Sequence, residues 1–220
     1  FQVIKAEELN PNGRNARTIY NEFGRPRGPI VVDGVAVASS TKVNNRYGLK
    51  REYANGPLYA PVTGFNSVVY GFGGMEKATN EELSGKADSL FYDRLMTVLS
   101  GHDPQGAQVE LTIDSKAQEA AYDALGDQRG AAVAIDPDTG AVLAMVSTPS
   151  YDPNLLASHD STKVQKAWKK LNDDPNKPMN NRAISGNLYP PGSTFKLLVA
   201  ATALDSGNYT PESEIPGPGS

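Results

Sequence analysis

The stretch from Thr194 to Leu204 is apolar almost all round. As a helix it has no face to give to water and has to be enclosed on several sides. A proline-glycine turn, Leu188-Tyr189-Pro190-Pro191-Gly192, marks its start, and Gly207 can supply a left-handed cap at its end. Whatever this chain folds into must place layers around that one helix.

A hydroxyl and an amine stand at the mouth of the helix. Ser193 and Lys196 are separated by one helical step, and residues i and i+3 share a face, so the amine can reach the hydroxyl. Burial disfavours the charged form of a lysine, and a neutral amine can take the proton from serine, a weak nucleophile at its free pKa. Ser193 as nucleophile and Lys196 as general base are therefore the candidate catalytic residues. The backbone N–H of Ser193, at a helix N-terminus, is suited to form half of an oxyanion hole. Spacing alone carries little weight, since Ser-x-x-Lys arises by chance about once in a chain of this size. Ser39-Ser40-Thr41-Lys42 is a second copy. It follows a Val/Ala strand, and in extended chain i and i+3 point to opposite faces, so this copy is read as a solvated loop.

Other chemistries fit less well. The net charge of -4 and the lack of a Lys/Arg run exclude a nucleic-acid partner. With no cysteine there is neither a disulfide framework nor a thiolate metal site, no other metal-ligand spacing occurs, and no cofactor is expected. A nucleophile elbow needs Gly-x-Ser-x-Gly, whereas Pro191 and Phe195 flank Ser193. His102 and His159 lie in polar stretches and read as solvated. Gly71-Phe72-Gly73-Gly74 lacks the Lys-Ser/Thr of a phosphate loop and reads as turns. No apolar run approaches the roughly 18 residues of a membrane span. The chain opens at Phe1 without methionine or a signal-peptide pattern, which gives the expectation of a processed piece of something longer.

Along the chain, Ile30-Val31-Val32 and Val35 to Ala38 flank Asp33-Gly34, a strong hairpin signal. Asp88 to Leu99 has the apolar spacing of an amphipathic helix, with a linker following at His102 to Gly106. Val109 to Ile113 alternates as a half-buried strand. Asp114 or Ser115 can cap the next helix, Ser115 with Gln118 makes a capping box, and Gly126 can end it. Ala131 to Ile135 and Ala141 to Ser147, joined by Asp136-Pro137-Asp138-Thr139-Gly140, read as an antiparallel hairpin covered on both faces. The polar stretch from Tyr151 to Met179 holds a short helix around Val164 to Leu171. Its lysines, Lys163, Lys166, Lys169 and Lys170, form a solvated face, and Trp168 packs the helix.

The order of motifs resembles the class B penicillin-binding proteins, in particular their penicillin-binding protein A group. The stretches that carry the likeness begin with Arg27-Gly28-Pro29-Ile30, Ala60 to Ser67 and Tyr70 to Glu76. They continue with Leu111 to Asp114, Ala134 to Gly140, Ser147 to Asn154, and Asn181-Arg182-Ala183-Ile184 leading into the serine. The resemblance implies an α+β protein with two parts. Residues 1–107 would be a non-catalytic pedestal of the dimerisation type. Residues 108–220 would be the N-terminal part of a transpeptidase domain, a β-lactamase-like antiparallel sheet with helices on both faces. It further implies that Ser193 is the acylated nucleophile and Lys196 its base. The substrates would be peptidoglycan stem peptides ending in D-Ala-D-Ala, with β-lactams as covalent inhibitors and cell-wall synthesis proteins as partners. The location would be the extracytoplasmic face of the membrane, through an anchor preceding Phe1. The family's Ser-x-Asn and Lys-Thr/Ser-Gly motifs do not follow Lys196, and Ser185-Gly186-Asn187 precedes the nucleophile. The expectation is thus the front of an enzyme, inactive without its C-terminal part. A catalytically silent penicillin sensor, or a D,D-carboxypeptidase or β-lactamase that uses water as acceptor, is the alternative.

Overall fold

A computed structural model describes residues 23–87, 106–185, 189–215 and 217. The chain forms two compact units, Phe1–Gly186 and Asn187–Ser220. The expected helix over Asp88–Leu99 and most of the linker after it, with His102, lie outside the described residues.

The first unit opens with β1 (Ile30–Val32), β2 (Val35–Lys42) and β3 (Leu49–Tyr53). Asp33 and Gly34 both take positive φ, 48° and 75°. That is the conformation a two-residue turn needs to match the twist of its strands. Val32 pairs with Val35 across it. The ladder between β2 and β3 runs unbroken from Ala38↔Tyr53 to Lys42↔Leu49. Ser39-Ser40-Thr41-Lys42 is therefore strand, and the expected solvated loop is corrected. Its polar side chains suit a half-buried strand because they find partners: Ser40 Oγ donates to the Arg27 carbonyl at 3.2 Å.

After β3 come α1 (Gly56–Thr63), the short pair β4 (Asn66–Ser67) and β5 (Gly71–Phe72), and helices α2 (Gly74–Ala78) and α3 (Asn80–Leu83). β6 (Val109–Glu110) then joins the first sheet parallel to β1, giving the order β3-β2-β1-β6. Exposure alternates from Val109 to the buried Ile113, as the sequence pattern asked. Two chain segments cross here with no room for side chains. A Cβ on Gly28 would sit 1.8 Å from the Ala107 carbonyl oxygen.

The rest of the unit is α4 (Ser115–Leu125), β7 (Gly130–Ile135), β8 (Val142–Thr148), a 3-10 turn at Pro153–Leu155, and α5 (Ser161–Asp173). β7 and β8 form the expected antiparallel hairpin, from Gly130↔Thr148 to Ile135↔Val142. Helix α4 packs against both strands, and Ala144 and Val146 are buried. The expectation of two covered faces is not met, because Val133 is 45% and Ile135 58% exposed. Helix α1 also packs against β8, and neither helix covers Val133 and Ile135 of β7. Helix α5 starts earlier than the apolar spacing indicated because the Asp160 carboxylate accepts from the N–H groups of Thr162 and Lys163. Its four lysines are exposed, and Trp168 packs edge-on to Phe65 and stacks on Tyr70.

The main core joins Ile30, Val32, Val37, Ala38, Tyr53, Tyr59 and Leu83 with Ile113 and Ala157. Apolar side chains from both halves of the sequence thus fill one interior.

In the second unit a 3-10 turn at Gly192–Thr194 runs into α6 (Phe195–Asp205). Gly207 takes φ 70° and its N–H reaches the Leu204 carbonyl at 3.1 Å, the expected cap. The expected enclosure of the helix is not found: Leu197 is 75% and Leu198 59% exposed. One helix with a short tail has no second layer of its own to bury against.

Candidate active site

Ser193 sits in the middle of the 3-10 turn and Lys196 is the second residue of α6. The backbone is right-handed at Pro191, Thr194 and Phe195, with φ near -64°, while Gly192 between them takes φ 53°. Ser193 thus stands one turn before Lys196, across the junction of the 3-10 turn and α6. The turn is closed by its neighbours: Thr194 donates to the Pro191 carbonyl through both its N–H and its Oγ1. Neither helical start carries a side-chain cap. Both Ser193 and Lys196 are exposed. The desolvation invoked for the lysine therefore does not come from its own unit.

The residues that lead toward this turn are anchored within the first unit. The Asn181 Nδ2 donates to the Pro61 carbonyl at 2.7 Å, and its Oδ1 accepts from the Ala183 N–H at 3.0 Å. Its own carbonyl receives Ile184 and Ser185. Arg182 is buried and donates to the carbonyls of Asn176, Lys177 and Asn180. Its N–H reaches the Ser147 Oγ, which in turn donates to the Asn180 carbonyl. Segment 176–185 is thus stitched to β8 and to α1.

Further polar links join the two halves of the sequence. Gln118 is fully buried. Its amide nitrogen donates to the carbonyls of Leu58 and Met145, and its oxygen accepts from the Met145 N–H at 2.8 Å. The expected capping box with Ser115 is therefore corrected. Asp114 is the cap, accepting from Ala117 N–H, and Gln118 faces inward where three backbone groups need partners. Asn154 exchanges two hydrogen bonds with the backbone of Tyr53, at 3.0 and 2.9 Å. Asp33 Oδ2 accepts from the Ser115 N–H at 2.8 Å. His159 is not the free solvated side chain expected. It packs on Tyr47 with ring centroids 4.3 Å apart and planes tilted by 35°, and its Nδ1 accepts from Asn45 at 3.0 Å. Burial, and then the charges of Lys50 and Arg46, hold its pKa below the usual value.

A buried electrostatic cluster is built within the first unit. Glu76 is fully buried between Arg27 Nε at 2.5 Å and Arg51 Nε at 2.6 Å. The Tyr53 hydroxyl donates to the same carboxylate at 3.1 Å. Burial first, and the Glu76 charge second, push the Tyr53 phenol well above its ordinary range. This cluster crosslinks β3, α2 and the segment before β1. Sequence reasoning missed it, although Arg27 and Glu76 both lie in the stretches that carried the resemblance. Among the described residues no group of His, Cys, Asp and Glu is arranged to hold a metal ion, and no helix is long and apolar enough to cross a membrane.

A Ser-x-x-Lys stretch thus opens an apolar helix that follows a mixed-sheet unit in the chain. The chain belongs to the penicillin-binding proteins. Residues 27–109 match the penicillin binding protein A dimerisation domain and residues 130–220 the penicillin binding protein transpeptidase domain. More particularly, it is 46% identical over 211 residues to peptidoglycan D,D-transpeptidase PbpA of Mycolicibacterium smegmatis, covering 94% of this chain and 43% of that protein. It is 43% identical over its whole length to PbpA of Mycobacterium tuberculosis, of which it covers 46%. The chain thus spans under half the length of these relatives. It also superposes on penicillin-binding protein A from M. tuberculosis in its imipenem acyl-enzyme complex with a TM-score of 0.80 and 44% identity, covering 89% of this chain and 45% of that one. A penicillin G acyl-enzyme complex of the same protein gives a TM-score of 0.78.

Proposed function

We propose that this protein is an acyl-serine D,D-transpeptidase of peptidoglycan synthesis, covalently inhibited by β-lactams. What supports this most is the Ser-x-x-Lys stretch, with Ser193 in the 3-10 turn and Lys196 in the first turn of α6. Ser193 Oγ attacks the carbonyl between the two D-alanines of a stem peptide while Lys196 accepts its proton. The C–N bond breaks, the departing amine of D-alanine takes that proton, and an ester remains on Ser193. The amine of a neighbouring stem then attacks the ester, the new peptide bond forms, and the hydroxyl returns to Ser193. The Ser193 N–H, at the start of the helix, supports the developing oxyanion.

Residues 1–107 are the pedestal and 108–220 the front of the transpeptidase domain. The dimerisation match over the first region and the transpeptidase match from residue 130 support this division. Further polypeptide completes the site, covering α6 and the outer face of β7. The exposed leucines of α6 and the exposed Val133 and Ile135 support that completion. Function on the extracytoplasmic face, held by a membrane anchor beside other cell-wall synthesis proteins, follows from the substrate.

Intact-mass spectrometry of the full-length protein with penicillin G tests the assignment. A stable adduct on the Ser193 peptide, absent from Ser193→Ala, is expected. An adduct on any other residue would refute the site, and rapid loss of the adduct to water would move the reaction to a hydrolase.

A further inference from the structure

Within the first unit, the loop between β2 and β3, residues 43–48, meets the segment that leads into α5 at the His159 ring. The loop closes on itself through the Val43 N–H to the Gly48 carbonyl at 2.9 Å and the Gly48 N–H to the Asn45 carbonyl at 3.0 Å. Buried Tyr47 packs against the imidazole, and the Asn45 side-chain nitrogen stands 3.0 Å from His159 Nδ1. The backbone fixes which way the Asn45 amide points. Its Oδ1 accepts from the Tyr47 N–H at 3.0 Å, and a flipped amide would set donor against donor there. Nδ2 therefore faces His159, so Nδ1 is the acceptor and the proton of the neutral ring sits on Nε2. A protonated ring carries N–H on both nitrogens. It would turn this hydrogen bond into a meeting of two donors.

The surroundings of the ring act in the same direction. Burial, the largest cause, and then the charges of Lys50 on β3 and Arg46 on the loop hold the His159 pKa below its usual value. Lys50 has its own partner in Glu52 at 3.6 Å. Asp160, next to His159 in the chain, is engaged at the start of α5: its carboxylate accepts from the N–H groups of Thr162 and Lys163 and pairs with Lys163 Nζ at 3.7 Å. A positive ring would gain some attraction from the Tyr47 face, but the Arg46 guanidinium already lies 5.1 Å from that ring's centroid. We propose that His159 is an acid-released latch: its neutral ring holds the 43–48 loop against the segment before α5, and protonation lets the loop go. A depressed folded-state pKa contributes stability that is present above the unfolded value, about 6.5, and is lost as pH falls through the folded value. The latch is therefore closed at neutral pH and opens in mild acid. This device goes beyond the acyl-serine reading and stands or falls without it.

Hydrogen exchange of the full-length protein, read by mass spectrometry at about pH 7.5 and about pH 5 and corrected for intrinsic rates, tests the latch. On acidification, protection of the peptide covering residues 43–48 is expected to fall roughly three- to tenfold, while peptides of β8 keep theirs. Two substitutions identify the titrating contact. His159→Phe keeps an aromatic ring against Tyr47 and has no proton to gain, so loop protection should be equal at the two pH values. Asn45→Asp keeps an oxygen for the Tyr47 N–H and offers a second one to His159. The positive ring then becomes the better partner, and the loop should be held at least as well in acid as at neutral pH. Constant protection of the wild-type loop would overturn the proposal. So would a wild-type acid loss in folded His159→Phe or Asn45→Asp, because the titrating group would then lie elsewhere. An equal loss in β8 would overturn it as well, since the whole unit would be loosening. Where a variant does not fold, the other variant and the wild-type comparison with β8 decide.

Discussion

The carboxylate of Asp33 accepts a hydrogen bond from the Ser115 N–H at 2.8 Å, so the tip of the β1–β2 hairpin caps the first turn of α4. The capped helix also has its own local cap in Asp114. Two carboxylates at one helix start satisfy free N–H groups and oppose the positive end of the helix dipole. The Asn181 contact runs the other way, from the far half to the C-terminal end of α1. Each half of the first unit therefore completes a helix end of the other.

The Asp33 link predicts a pH dependence with a definite sign. Its carboxyl pKa is lowered, mainly by the hydrogen bonds from Ser115. A depressed folded-state pKa contributes stability that is present above the unfolded value, near 3.9, and is lost as pH falls through the folded value. Wild type should have a higher Tm than Asp33→Asn at neutral pH, and the gap should narrow on acidification below about pH 4. Thermal melts of both proteins across that range check this, and a gap that widens toward acid would contradict it.

Glu76 should be a highly sensitive position of the first unit. It is the one carboxylate the buried guanidiniums of Arg27 and Arg51 share, and removing one partner of a buried ion pair typically costs about 3–5 kcal/mol. Glu76→Gln should lower the unfolding free energy by about that amount, read from urea unfolding of the full-length protein.

Gln118→Leu keeps the volume of the side chain and removes its polarity. Backbone groups of Leu58 and Met145 then lose a partner in a buried setting. Each buried polar group left unmet costs about 1–3 kcal/mol, so a loss of at least about 2 kcal/mol is expected. An unchanged unfolding midpoint would show that these groups find other partners.

Ser193→Ala should abolish penicillin labelling while leaving Tm unchanged, because the hydroxyl caps neither the 3-10 turn nor α6. Substitutions at exposed positions away from special contacts usually stay within about 0.5 kcal/mol. Calorimetry beside gel fluorescence checks both halves of this expectation.

What the sequence made legible is local. Asp33-Gly34 marks a turn by its own backbone preference, Gly126 and Gly207 end helices by theirs, and Pro-Pro-Gly-Ser marks the turn into α6 without help from distant chain. The Ser39–Lys42 strand was misjudged because its polarity finds partners only in Arg27 and β3. Glu76 meets Arg27 from 49 positions away and Arg51 from 25, and no periodicity encodes such a meeting. Gln118 showed a capping spacing, yet its environment is decided by α1 and β8. The enclosure expected for α6 and for the β7–β8 hairpin was inferred from apolarity alone, which says that cover is needed and not where it comes from.

The contact between Asn181 and Pro61 spans 120 positions, and this bears on the order in which the protein is made. As the chain emerges from its N-terminus, α1 can coil early, but the acceptor at its end stays unmet until residue 181 has been synthesised and brought back. Long-range closure of this kind is slow compared with local helix formation. The newly made first half of the chain therefore passes through a period in which α1 is formed and its end is open, and quality control by chaperones or proteases would find the protein most vulnerable there.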